Sequence, residues 1–147
     1  MFNSRFALAA ALTLAMSAPA LAADHQVLMV NKDSEGRAMQ FEPAFLKIAP
    51  GDTITFVAKD KGHDSESLKD GIPEGAEGWK GKISQDVTAT FEKPGLYAYK
   101  CTPHFGLGMV GLVQVGDDTS NMEAVKNLKM PKKAKDRMAE LVEQVGE

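Results

Sequence analysis

The chain lacks a second cysteine. Cys101 is the only one among 147 residues, so the protein cannot form an internal disulfide. Exported domains commonly use cysteines in pairs. A domain of this length buries about two-thirds of its unfolded surface and folds without such a cross-link. Cys101 is therefore either a buried residue without a special role or a ligand.

The chain also has no excess of positive charge. The chain has 17 Lys and Arg against 20 Asp and Glu, a formal net charge of −3. This acidic balance argues against general affinity for nucleic acid. The sequence also contains no internal repeat and no low-complexity segment, so a single globular domain is expected.

Long apolar runs are confined to the start of the chain. Arg5 precedes an apolar stretch over residues 6–16, and Ala20-Leu21-Ala22 has a small residue at each end. This is the layout of a secretory signal, and the stretch is too short to span a bilayer. We expect a signal peptide over residues 1–22, cleavage before Ala23, and a periplasmic mature protein with no membrane insertion.

Short runs rich in β-branched and aromatic residues follow, separated by turns that contain Pro and Gly. They predict strands at 27–30, 44–48, 53–58, 87–91, 96–99 and 110–115. Such a series favours an antiparallel sandwich or barrel. A short helical turn is predicted within residues 72–79.

The pattern becomes helical after Val115. Apolar residues recur at helical spacing in two segments that Met130-Pro131 separates. We therefore predict one domain over residues 23–147, with a mainly β part to about 116 and two helices within about 119–145.

The residues that carry the chemistry lie in one predicted loop. Cys101, His104 and Met109 fall within nine residues, between two predicted strands. Thiolate, imidazole and thioether form a donor set suited to copper. Two glycines and a proline preclude a regular helix there and allow a tight path.

A fourth ligand has to come from elsewhere in the chain. His63 follows a predicted strand, whereas His25 lies near the expected mature N-terminus, where fraying is expected. We assign His63, Cys101 and His104 as a trigonal set with Met109 as a long axial contact, as in blue-copper electron-transfer centres. With every position filled, the site has no place for a substrate. One remaining histidine is too few for the second copper centre that a self-sufficient copper oxidase or nitrite reductase needs.

Two other functions remain open from the residues alone. A copper carrier or storage protein favours exposed methionine or cysteine ligands, but the other methionines here occupy apolar strand or helix positions. A zinc-stabilised binding module could use one Cys and two His, although a thioether is a poor fourth zinc ligand. Visible absorption separates both from an electron shuttle.

The loop resembles a known family. Its sequence, Cys-Thr-Pro-His-Phe-Gly-Leu-Gly-Met, closely resembles the copper loop of pseudoazurins, which are small periplasmic cupredoxins. The similarity extends over nearly all of the mature chain, including Lys61-Gly62-His63 and Met130-Pro131-Lys132-Lys133. The two predicted C-terminal helices also fit this family, because plastocyanins and amicyanins lack them.

The resemblance implies a fold and a function. The fold would be an eight-stranded Greek-key cupredoxin sandwich with two C-terminal helices. His63, Cys101, His104 and Met109 would hold one type 1 copper ion. The protein would be a monomeric electron carrier, not an enzyme, that docks transiently with copper nitrite reductase or related denitrification enzymes.

One position departs from the family. Pseudoazurins usually have Asn directly after the first copper histidine, where its side chain helps to tie the two ligand segments together, and this chain has Asp64. Asp64, Thr102 and Pro103 are expected to surround the ligands. Such neighbours orient ligands and tune the metal, so Asp64 leaves the reduction potential and its pH behaviour open, whereas copper binding is still expected.

A docking surface is also expected around the loop. No charged residue occurs from Cys101 to Gly116, so the loop should present an apolar patch of the kind that marks partner contacts. The patch would comprise Pro103, Phe105, Leu107 and Met109. Around it we expect a rim like that of the family, which steers an acidic partner: Lys32, Lys61, Lys80 and Lys100. For any single lysine, ordinary solvation explains its presence equally well.

Overall fold

The computed structural model describes residues 20–147. Most of the predicted signal peptide, residues 1–19, lies outside the described residues. The strands are β1 (Asp24–Lys32), β2 (Ala38–Glu42), β3 (Phe45–Ile48), β4 (Asp52–Val57), β5 (Glu66–Ser67), β6 (Val87–Phe91), β7 (Gly95–Lys100) and β8 (Val110–Val115). The helices are α1 (Met122–Lys126) and α2 (Lys132–Val142), and two short 3-10 turns span Lys69–Gly71 and Phe105–Leu107.

The eight strands form two four-stranded sheets, in the orders β2-β1-β4-β6 and β3-β8-β7-β5. The predicted mainly β sandwich with two C-terminal helices is confirmed. The pairing is not purely antiparallel as expected, because β1 pairs with β4 and β3 pairs with β8 in parallel. Parallel neighbours arise because the chain leaves a sheet and returns to it through longer connections.

The core lies between the inner faces of the two sheets. Strand β4 alternates buried and partly exposed residues, with Ile54 and Phe56 fully buried, as the two-residue period of its sequence predicts. Every residue of β8 is buried, because α2 packs on the face of β8 that the other sheet does not cover. The second helix therefore completes the core as a third layer.

Aromatic rings fill the end of the core nearest the predicted ligand loop. Tyr99 is almost fully buried and its ring lies within 4.6 Å of Phe41 and 5.0 Å of Phe56, centroid to centroid. Its cross-strand neighbour is Gly111, where an added Cβ would lie 2.1 Å from the ring. Trp79 stacks on Phe56, with the ring centroids 5.4 Å apart, and so belongs to the core packing.

Several bounds differ from the sequence-based prediction. Strands β2 and β5 were not predicted, and the helical turn lies at Lys69–Gly71 instead of within residues 72–79. His25 is not frayed, since it is part of β1 and pairs with Asp52. Among the described residues, no helix combines the length and apolar character needed to cross a membrane.

Candidate metal centre

Three predicted ligands converge at one end of the sandwich. His63 lies in the connection after β4, Cys101 directly follows β7, and His104 precedes the 3-10 turn at Phe105–Leu107. The Cys101 Sγ lies 3.7 Å from His63 Nδ1 and 3.5 Å from His104 Nδ1, and the two Nδ1 atoms are 3.1 Å apart. The fold thus brings together residues that are 38 positions apart in the chain.

The size of this triangle fits a metal ion. A point equidistant from the three atoms lies about 2.0 Å from each, close to the bond lengths of about 2.0–2.3 Å that nitrogen and thiolate ligands make to a divalent ion of similar size. One thiolate and two imidazoles in a trigonal arrangement are the equatorial ligands of blue-copper sites. The donor set and the spacing therefore both fit copper.

Met109 closes the ligand loop. It is fully buried, its N–H donates to the carbonyl of His104 at 3.2 Å, and its carbonyl accepts from Cys101 N–H at 3.0 Å. These backbone contacts hold Met109 against the two other loop ligands. Its burial corrects the expectation that Met109 contributes to the exposed apolar patch.

The loop rests on the second helix. Gly108 has a φ of +91°, and an added Cβ would lie only 3.1 Å from the carbonyl oxygen of Lys133, near the start of α2. A side chain at position 108 would therefore be strained in its backbone and pressed against the helix. The positive φ agrees with the tight path expected of the loop glycines, and the close approach to α2 is a second reason for glycine at position 108.

Asn31 orients the His63 ring. His63 Nε2 lies 2.8 Å from Asn31 Oδ1, and because an amide oxygen can only accept, Nε2 carries the proton. The lone pair is then on Nδ1, the atom that faces Cys101. The Asn31 backbone N–H donates to Asp60 at 2.7 Å, so the end of β1 and the histidine connection are tied together.

The His63 backbone is held by Ser84. Ser84 N–H donates to the His63 carbonyl at 2.8 Å, and Ser84 Oγ accepts from Gly62 N–H at 2.9 Å. Ser84 has a φ of +64°, which is uncommon for a residue with a side chain. Sequence reasoning missed both Asn31 and Ser84, since neither belongs to a local pattern that points to the ligands.

Burial controls the protonation of the ligands. It is the main cause that lowers the pKa of His63, and the proximity of His104 acts in the same direction. Burial also raises the pKa of the Cys101 thiol, while the backbone N–H groups of Asp64 and His104 act in the opposite direction. A metal ion has to displace the thiol proton, whereas His63 is held as the neutral imidazole that binds metals.

Asp64 joins the two ligand segments. Its side chain is almost fully buried and accepts a hydrogen bond from Thr102 N–H at 2.5 Å. Thr102 itself is exposed, and its hydroxyl donates to Glu66 Oε2 at 3.2 Å. Pro103 also lies at the surface. Of the three residues expected around the ligands, Asp64 is thus the buried one.

The surface around His104 has the predicted apolar character. Leu107 is 54% exposed, Pro103 and Gly106 are exposed, and His104 and Phe105 are half-buried. Lys100 Nζ lies 5.2 Å above the centre of the Phe105 ring. The patch therefore consists of exposed loop residues, with a cation directly beside it.

The basic rim contains an acidic residue that was not predicted. Glu66 lies between Lys80 and Lys100, with oxygen–nitrogen distances of 3.8 Å and 3.9 Å. Lys32 and Lys61 are exposed. The rim is thus mixed in charge where β5 begins, although its four lysines and one glutamate still leave it with a net positive charge.

Comparisons with known proteins agree with this geometry. The family described as copper binding proteins, plastocyanin/azurin family, matches residues 27–116, which include both ligand segments. A pseudoazurin from Paracoccus pantotrophus is 56% identical over 144 residues, covering 97% of this chain and 99% of that protein. A pseudoazurin from Methylorubrum extorquens is 41% identical, covering 92% and 90%.

Solved structures lead to the same family. The crystal structure of native pseudoazurin from Hyphomicrobium denitrificans has a TM-score of 0.80 at 44% identity, covering 84% of this chain and 99% of that one. These matches confirm the predicted resemblance and the copper cofactor, and they do not support a zinc module. The chain belongs to the pseudoazurins, the copper-binding electron carriers of the plastocyanin/azurin family.

Proposed function

We propose that this protein is a periplasmic single-electron shuttle for denitrification, with copper nitrite reductase as a principal electron acceptor. His63, Cys101, His104 and Met109 hold the copper ion. The observation that carries the ligand assignment is the convergence of one sulfur and two imidazole nitrogens beside an exposed apolar patch. The single domain spans residues 23–147 and is a monomer that docks transiently.

The ligands suit electron transfer because hydrogen bonds from residues outside the ligand set hold them in position. When bound, copper alternates between Cu(I) and Cu(II) and so stores one electron. Asn31 sets the tautomer of His63, Ser84 holds its backbone, and Asp64 ties its segment to the loop. Rigid ligands reorganise little when the charge changes, which keeps the transfer fast.

The site also excludes chemistry on a substrate. Cys101, Met109 and His63 are fully buried, so water and small molecules reach only the half-buried edge of His104. With four protein ligands, no coordination position is open for a reactant. These features support a carrier without substrate chemistry of its own.

The electron leaves through the His104 edge. This imidazole reaches the surface within the patch of Pro103, Phe105 and Leu107. An apolar contact can form and break quickly, because it requires no ordering of long charged side chains. The lysines around the patch raise the encounter rate with an acidic partner.

Two parts of the proposal rest on sequence patterns. The charged start, apolar stretch and small residues over 1–22 support export and removal of a signal peptide before Ala23. Resemblance to pseudoazurins supports nitrite reductase and related denitrification enzymes as partners. Purified candidate acceptors, mixed with the reduced protein in a stopped-flow experiment, test that identity. A failure of nitrite reductase to oxidise the protein would refute this part.

The ligand assignment is tested with Cys101→Ala. We expect the copper–thiolate absorption to disappear while the circular dichroism of the sandwich is retained, since the core does not depend on one thiol. Thr102→Ala, beside it and exposed, is the matched control and should keep the colour. Retained colour in Cys101→Ala would refute the ligand assignment, because the chain has no other cysteine to supply a thiolate.

The docking surface is tested by charge reversal. Replacing Lys80 and Lys100 with Glu should slow electron transfer to an acidic partner by about tenfold at low ionic strength, with the difference vanishing at high salt. Lys47 and Lys93 lie near the opposite end of the sandwich. Replacing them with Glu gives the same net charge and should have little effect. Equal rates for the two double variants would refute the basic rim.

A further inference from the structure

The proposed processing leaves an unusual N-terminus. Removal of the signal peptide after Ala22 makes Ala23-Asp24-His25 the first three residues. Such a terminus offers four nitrogens in sequence: the α-amino group, the amide nitrogens of Asp24 and His25, and the His25 imidazole. They can close two five-membered chelate rings and one six-membered ring around a single ion.

We propose that Ala23-Asp24-His25 of the processed protein is a second metal site, which binds Cu(II) or Ni(II) in a square plane of four nitrogens. Tetragonal nitrogen coordination is characteristic of these two ions. The inference rests on the processing that is part of the proposed function, but it does not depend on electron transfer.

The structure already gathers the two ends of this donor set. Ala23 N lies 2.8 Å from Asp52 Oδ1, and His25 Nε2 lies 2.8 Å from Asp52 Oδ2. In the structure, Ala23 N is a backbone amide that follows residues 20–22. A single, nearly buried carboxylate therefore holds the imidazole beside the nitrogen that processing would turn into the terminal amine. Ala23 and Asp24 are exposed, and 27% of the His25 side chain is exposed, so the segment is accessible to an ion.

The His25 ring presents the correct nitrogen. Because a carboxylate accepts, Nε2 carries the proton that bonds to Asp52, and the lone pair is on Nδ1. Nδ1 is also the atom that closes a six-membered ring with the amide nitrogen of the same residue. The Nε2–H bond to Asp52 can remain, as metal-bound histidines usually donate their other N–H to a carboxylate or carbonyl.

Binding requires a local change at the start of β1. The strand begins at Asp24, and Thr53 N–H donates to the Ala23 carbonyl at 3.0 Å. Planar chelation takes residues 23 and 24 out of the extended conformation, so this bond breaks. The change stops short of the core, which begins at the fully buried Val27. The two amide protons and one ammonium proton pass to solvent, and no electron is transferred.

The second site is remote from the copper centre. His25 is near the start of β1 and Asn31, which contacts His63, is near its end. Six residues of strand separate them by about 20 Å. Occupation of one site therefore leaves the ligands of the other in place.

The test uses the full chain, expressed with its own leader, exported and isolated with one copper ion per chain, so that Cu(II) does not already occupy the second site. Intact mass establishes the first residue, and Ni(II) chloride is then titrated while absorption is recorded. We expect a chain that starts at Ala23 and binds one equivalent of Ni(II), with the copper–thiolate absorption unchanged. Hydrogen exchange at Thr53 N–H should accelerate when nickel binds.

Three variants distinguish this site from surface binding. His25→Ala should no longer bind one equivalent of Ni(II). One Gly inserted before Ala23 leaves every side chain in place but moves the imidazole to the fourth residue. This variant should also fail to bind Ni(II) stoichiometrically. Asp24→Asn is the control and should bind normally, because the Asp24 side chain is not a ligand.

A result that refutes the second metal site can be told apart from one that refutes the proposed electron-transfer function. Wild-type protein that binds no nickel overturns the proposal, as does equal binding by the Gly-inserted variant or a mature chain that starts at another residue. None of these results changes the copper–thiolate absorption or the reversible reduction, which report on the copper centre alone.

Discussion

Asn31 and His63 are joined by a hydrogen bond of 2.8 Å between Oδ1 and Nε2, although 32 residues separate them in the chain. The bond connects the end of β1 in one sheet to the histidine that follows β4. It leaves Nδ1 of His63 free on the side of Cys101. Asn31, in the first sheet, thus fixes the orientation of the His63 ring in the metal centre.

Asn31→Ala removes this acceptor. We expect copper affinity to fall by about 10–100-fold, the usual effect of losing the group that orients a metal-bound histidine. Competition with a chelator of known affinity measures the change. Asn31→Asp keeps an oxygen acceptor and should largely restore binding. If Asn31→Ala binds copper as tightly as the wild type, the ring is oriented by its packing alone.

Asp64→Asn tests the carboxylate beside the thiolate. The amide can still accept from Thr102 N–H, so the tie between the ligand segments remains. Loss of a negative charge disfavours Cu(II) relative to Cu(I), and the reduction potential should rise by about 50 mV or more. Voltammetry measures the shift.

The matched control for Asp64 is Glu66→Gln. Glu66 is a carboxylate at the edge of the same region, but it is better solvated and paired with Lys80 and Lys100. Its neutralisation should move the potential much less, since solvent screens the charge. A lower potential in Asp64→Asn, or equal shifts in the two variants, would contradict the assigned role.

Ser84→Ala removes the oxygen that accepts from Gly62 N–H. The alanine also has to keep a positive φ, so the backbone carrying His63 should loosen. We expect copper to be lost to a chelator about tenfold faster. Ser84→Asn, which tolerates this backbone conformation and offers an acceptor, should release copper more slowly than Ser84→Ala. Identical release from Ser84→Ala and wild type would show that the contact is dispensable.

Asp52 should contribute stability that depends on pH. Hydrogen bonds from His25, then from Ala23 and Ala49, hold the pKa of Asp52 below its ordinary value. A carboxyl whose pKa is lower in the folded protein stabilises the fold above its unfolded pKa of about 3.9, and this stability is lost as the pH falls through the folded value.

The measurement compares urea unfolding of copper-free wild type and Asp52→Asn at pH 7 and pH 3. The variant should be less stable at pH 7, and the gap between the two proteins should narrow at pH 3. Asp24→Asn, an exposed carboxyl in the same segment, is the control. A gap that is equal at both pH values would show that the charge of Asp52 is not what stabilises this corner.

Sequence information predicts those parts of the fold that have a local cause. The bounds of β6 and β8 agree with the predicted strands, because both runs are rich in β-branched and apolar residues between clear turns. Strand β2 was missed because Ala38–Glu42 has no β-branched residue, and its conformation comes from pairing with β1. Strand β5 has two residues, too few for a periodic pattern.

The same distinction applies to the metal centre. The loop ligands could be predicted because soft donors are close together in the sequence. Asn31, Ser84 and Glu66 could not, since each acts through contacts between segments that meet only in the folded chain. His25 was expected to fray, and its pairing with Asp52 likewise joins residues 27 positions apart.

The contact between Gly108 and the Lys133 carbonyl has a consequence for protein engineering. Because the copper loop packs against the start of α2, the glycine at position 108 of the loop is matched to that helix. A loop transplanted from a plastocyanin would have to pack against the Lys133 carbonyl, and a residue with a side chain at position 108 would clash with it. Such a chimera should require a compensating change at the start of α2 before it rigidly holds copper.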